Sequence, residues 1–115
     1  MNETDPAEHL PLPHLALHVL MALADEDRHG WSIVRRIEEL TGGTWSPSAG
    51  SLYLSMAGLE KKGLIGDVPA PPDETDARRR HYTLLPLGRR VLELELGRLA
   101  SLVSEAKHLR IRGSG

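Results

Sequence analysis

The chain has 115 residues, with 14 Lys and Arg against 16 Asp and Glu for a formal charge of -2, and 40% apolar residues but no Phe. That is enough chain for one domain, whose core must come from Leu, Val, Ile, Met and Ala, a helical palette. Zero cysteines exclude disulfides, a thiolate nucleophile and a cysteine zinc site; no run reaches the roughly 20 apolar residues of a membrane span, and the acidic start is no secretory signal, so a cytoplasmic protein without membrane contact is expected.

Residues 1–13 read as an arm, because Pro11 and Pro13 disfavour helix in the residues before them. From His14 to Ala24, HLALHVLMALA is apolar on nearly every side, and such a helix has to be covered all round. After the break at 25–30, Trp31 to Thr41 is amphipathic. Ile33, Val34, Ile37 and Leu40 face inward, and Gly42-Gly43 stops the helix.

Ser46-Pro47 carries the signature of a helix start. The third helix should run to about Lys62, with Ala49, Leu52, Tyr53, Met56 and Leu59 inward and Ser48, Ser51, Ser55, Gly58 and Lys62 on the opposite row. Leu64 to Val68 and Arg80 to Leu84 are expected as a hairpin around the acidic, proline-rich loop PAPPDETDA. Pro86 opens a last helix to about Leu109, in which Leu92, Leu96, Leu99, Val103 and Ala106 form a heptad seam. Such a seam asks for a partner helix. Residues 110–115 are expected as a disordered tail.

His29-Gly30-Trp31, Gly50-Ser51-Leu52-Tyr53, Leu59-Glu60-Lys61-Lys62-Gly63-Leu64-Ile65, Arg80-His81-Tyr82-Thr83-Leu84 and Pro86-Leu87-Gly88-Arg89 follow one another in the chain. In that order, over roughly residues 14–109, they resemble the PadR family of transcriptional regulators, in its compact form with a single C-terminal helix. The resemblance implies a mainly α fold with a small β-hairpin: a winged helix-turn-helix over 14–85 and a dimerisation helix over 86–109. It further implies a homodimeric repressor of a two-fold operator in double-stranded DNA, relieved by a small-molecule effector. Two departures stand out. Ala57 and Gly58 replace basic residues often found in the family, and Leu85 replaces a Thr cap of the last helix, which costs about 1 kcal/mol.

Within that frame the expected DNA contacts are Ser48, Ser51, Tyr53, Ser55 and Lys62 on the third helix and Arg78, Arg79 and Arg80 beside the wing. The serines keep the helix slim and offer hydroxyls, but they lack the bidentate geometry of Arg or Asn, so direct base readout should be modest. The arginines give a slightly acidic protein a local basic face. Leu17, Met21, Leu92, Leu96, Leu99, Val103 and Ala106 are the expected dimer interface. His14 and His18 lie four apart, but no third ligand stands at a diagnostic spacing, so no metal is expected. Nor is an enzyme or a cofactor, since no phosphate loop or nucleophile elbow is present. The alternative from another class is a winged-helix protein–protein interaction module that has lost DNA binding, favoured by the acidic balance.

Overall fold

The first strong constraint is the apolar run after Pro13, and in the computed structural model it becomes α1 (His14–Ala22). The structure describes residues 5–76 and 78–109. Ala16, Val19, Leu20 and Ala22 are buried, and Leu15, Leu17 and Met21 pack half-buried against the same core. Helix α2 (Gly30–Leu40), helix α3 (Ala49–Lys61) and helix α4 (Pro86–His108) all touch α1. The cover that an all-apolar helix needs is thus supplied mostly within the protomer. Leu17 and Met21, expected at the dimer interface, are already in part committed to that core.

A three-stranded antiparallel sheet closes the other side, from β1 (Arg28–His29), β2 (Ile65–Val68) and β3 (His81–Leu84) in the order β1-β3-β2. β2 and β3 are the expected hairpin, paired from Ile65↔Leu84 to Val68↔His81. β1 is an addition that sequence reasoning missed; its pairings Arg28↔Tyr82 and His29↔His81 tie the start of α2 to the wing.

Two glycines sit at close approaches, one against backbone and one against a side chain. A Cβ on Gly88 would lie 2.0 Å from the Leu64 carbonyl oxygen, where α4 begins against the chain entering β2. A Cβ on Gly30 would meet the Tyr53 hydroxyl at 2.5 Å. Helix α4 starts at Pro86 after an uncapping Leu85, as the sequence suggested.

The N-terminal stretch does not stand apart as an arm. Pro6–His9 forms a 3-10 turn, and the Leu12 amide donates to Glu95 Oε2 on α4 at 2.8 Å. Glu95 is 1% exposed; its carboxylate is held below the usual range by hydrogen bonds from Arg98 and from Leu12, against the opposing cost of burial. Residues 1–4 and the expected tail at 110–115 lie outside the described residues. Among the described residues no helix is long and apolar enough to cross a membrane.

Candidate nucleic-acid interface

Helix α3 begins two residues later than the sequence suggested. Ser48, in extended backbone at φ -71° and ψ 155°, is its N-cap, and the Ser48 hydroxyl accepts from the Ser51 amide at 3.2 Å. A serine cap satisfies one of the otherwise unpaired amides of the first turn. Ser46 and Pro47 precede the helix rather than start it.

Leu52, Met56 and Leu59 anchor α3 in the core. Ala49 and Tyr53, expected to point inward, are exposed, Tyr53 by 52%. The helix is therefore rotated from the expected orientation. At 100° per residue, three inward anchors at positions 52, 56 and 59 send Gly50, Leu54, Ala57 and Lys61 straight outward, and all four are exposed.

The serine row lies on one flank of that outward ridge. Ser51, Ser55, Gly58 and Lys62 line a groove of about 370 Å³ whose other wall is His9, Leu12, Leu15 and Ala16. The opposite flank carries Tyr53, which shares a recess with Trp31, Tyr82 and the arginines Arg78, Arg79 and Arg80. The expected DNA contacts thus do not share one face: the structure sets the serines and the arginines on either side of the ridge led by Leu54.

The three arginines differ in what they hold. Arg80 Nη2 sits 2.6 Å from both carboxylate oxygens of Asp67 and 3.2 Å from Glu60 Oε2, with its guanidinium carbon 5.2 Å from the Tyr82 ring centre. It fastens β2 and β3 to the end of α3. Arg79 lies 3.8 Å from Glu74 and 3.3 Å from His29 Nε2. Among the described residues Arg78 pairs only with Asp76, at 3.4 Å, and its side chain is 93% exposed. An exposed ion pair such as Arg78–Asp76 is worth about 0–1 kcal/mol, so there a phosphate can replace the carboxylate at small cost. Lys61 and Lys62 make no ion pair among the described residues.

His29 connects wing and helix. Its Nδ1 accepts from the Ser32 amide at 3.2 Å and so caps α2. That assignment places the ring proton on Nε2, so Arg79 faces the ring as a neighbouring charge and not as a donor. Burial first, then Arg79 and His81, push the His29 pKa below its usual value. His81 sits edge-on at 5.4 Å and reaches Glu74 at 3.3 Å. His14 and His18, which share a helical face, pack against Trp45 with ring centres 4.7 and 5.1 Å away, the first tilted and the second edge-on.

On α4 the last buried residue is Glu95. Leu92 is buried in its own protomer's core, which removes it from the expected partner surface. Beyond Glu95, Leu96, Leu102, Val103 and Leu109 are exposed. Leu102 and Leu109 had not been read into the seam, because the seam was drawn at strict heptad positions.

A family model described as the transcriptional regulator PadR-like family matches residues 19–94. An uncharacterised 37.1 kDa protein in transposon TN4556 of Streptomyces fradiae is 42% identical over 84 residues, 73% of this chain and 22% of that protein. The chain thus spans about a fifth of the length of that curated relative. The crystal structure of a PadR family transcription regulator from Clostridium difficile R20291 is similar with a TM-score of 0.75 at 19% identity, over 86% of this chain and 100% of that one. Bacillus subtilis PadR in complex with operator DNA is similar with a TM-score of 0.63 at 24% identity, over 75% of this chain and 48% of that one.

Proposed function

This chain belongs to the PadR-like family of transcriptional regulators, and from that premise we propose that it is a repressor that binds duplex DNA as a homodimer. The observation that carries the proposal is the exposed ridge of α3, with a basic wing on one flank and the serine row on the other. A ridge of that shape suits the major groove, as the second helix of a helix-turn-helix does. Arg78 and Arg79 would then take backbone phosphates, and Lys61 and Lys62 would extend that contact at the far end of α3. Ser51 and Ser55 contribute hydroxyls from the other flank. Ser48 already accepts one hydrogen bond as the cap, which leaves its proton and its second lone pair to offer.

Two copies joined through the second half of α4 would present two such ridges to a two-fold operator. The supporting observation is that Leu96, Leu102 and Val103 lie on a helix with no buried residue after Glu95. Leu99 and Ala106 fall on the same stripe, half-buried. Relief of repression by a small ligand belongs to this reading as the family's expectation, without an assigned site.

The pairing of Arg80, Arg79 and Arg78 with carboxylates favours the rival reading, a winged helix that contacts protein instead of DNA. An electrophoretic shift assay with duplexes from the region flanking the protein's own gene, at about 50 mM salt, separates the two. Retention of a fragment there supports the repressor. No retained duplex at that salt, for a folded dimer, favours the interaction module.

A further inference from the structure

Leu54 is 78% exposed, more than any other large apolar side chain among the described residues. It sits in the middle of α3, where a position meant for water would ordinarily hold Glu, Lys or Gln. Its neighbours along the outward row are Gly50, one turn before, and Ala57, one turn after. Neither offers height, so Leu54 stands as the one tall apolar side chain on a low ridge.

Packing within the protomer does not call for that low profile. A Cβ built on Gly50 would meet nothing within 4 Å, and the same holds for Gly58 on the flank. Glycine weakens a helix, and here no internal contact explains it. Close approach of a second body along the outward row does. The charges that remain accessible suit a polyanion: Lys61, which makes no ion pair among the described residues, ends the row, and the Arg78 side chain on the flank is 93% exposed and paired only weakly with Asp76.

We infer that Leu54 reads a thymine in each half-site by van der Waals contact with its 5-methyl group. A leucine cannot hydrogen-bond a base edge. The 5-methyl group is the apolar feature that a thymine presents in the major groove. The inference deepens the DNA-binding reading and rests on it. Base discrimination by the reading helix then comes from one apolar contact, with the serine hydroxyls in a secondary role.

The test uses the full chain and a duplex enriched by it from a random-sequence pool at low salt. Each thymine of the half-site is replaced in turn by deoxyuridine, symmetrically in both half-sites, which deletes the methyl and nothing else. Burying one methyl is worth about fourfold in affinity, so one symmetric pair of replacements should weaken binding about fifteenfold. The Leu54→Ala variant should bind the thymine and deoxyuridine duplexes alike. If no replacement weakens the parent by more than about twofold, the inference is overturned while DNA binding stands. Full deoxyuridine sensitivity in Leu54→Ala overturns it too. Failure to enrich any duplex removes the inference together with the reading beneath it. The deoxyuridine series on the parent can overturn the inference even if the variant folds poorly, and Leu54→Val, which shortens the side chain without emptying the position, then carries the assignment to Leu54.

Discussion

Val103→Glu should turn a dimer into a folded monomer. Val103 is 58% exposed in the isolated protomer, so a glutamate there sits in water and leaves the protomer's own core intact. In a dimer formed through α4 the same side chain would be covered. Each copy would then lose the burial of a valine, about 1.5–3 kcal/mol, and would also bury a carboxylate that has no partner. The site occurs twice by symmetry, so about 4 kcal/mol in total is a conservative sum, roughly a thousandfold in Kd. Sedimentation velocity between about 1 and 50 µM reads this directly. The parent should sediment as a dimer and the variant as a monomer with an unchanged helical circular dichroism spectrum. A parent that is monomeric at 50 µM, or a variant that dimerises as tightly as the parent, refutes the assignment of α4 as the interface. Leu99→Glu is a poorer probe, because Leu99 is half-buried and its replacement confounds dissociation with unfolding.

Gly88→Ala drives a Cβ against the Leu64 carbonyl and should cost about 3 kcal/mol or more in chemical denaturation, at the top of the range for overpacking. Gly30→Ala meets only the end of the exposed Tyr53 side chain and should cost under about 1.5 kcal/mol; equal losses in the two variants would contradict the packing described. Acidification should destabilise the link between wing and α2. The folded pKa of His29 lies below 6.5, so between those values the unfolded chain binds the proton and the folded chain does not. Stability is therefore lost as pH falls below about 6.5, and His29→Asn, which keeps a capping oxygen, should flatten the decline of Tm between pH 7.5 and 5.5. An unchanged decline would remove His29 from that role. Glu95→Ala leaves the Leu12 amide and Arg98 without their acceptor. It should cost about 1–3 kcal/mol and raise proteolytic cleavage within residues 5–13; resistance equal to the parent's would show that the N-terminal stretch is held by other contacts.

Element order was legible from periodicity and punctuation. The apolar run before Ala24, the amphipathic stretch before Gly42, the outward Pro86 start and the hairpin residues all carry local signals. β1 carries none, since two residues become a strand only by pairing with β3. The folding back of residues 5–13 hinges on Leu12 and Glu95, 83 positions apart. The face of α3 was misread because Tyr53 is amphipathic and sits 100° from Leu52, which drew the inward row toward it; the burial of Leu52, Met56 and Leu59 shows the rotation. The arginine run was visible, but its carboxylate partners Glu60 and Asp67 lie on other elements. For Leu54, anchoring the helix on its three strictest apolar positions would have turned it outward in the sequence itself.

The salt dependence of duplex binding tests the central claim most directly. Contacts that neutralise phosphates release counterions, and the slope of log K against log salt is about -0.9 per phosphate. Two phosphates per dimer already imply about a tenfold loss between roughly 50 and 200 mM salt. The parent should show at least that loss. Changing Arg78 and Arg79 together to Ala should weaken operator and random duplex alike and flatten the slope by about one unit for each phosphate contact removed; Arg80 is left in place because it fastens β2 and β3 to α3. Binding of the parent that is flat in salt, or a double variant with the parent's slope, would contradict the account.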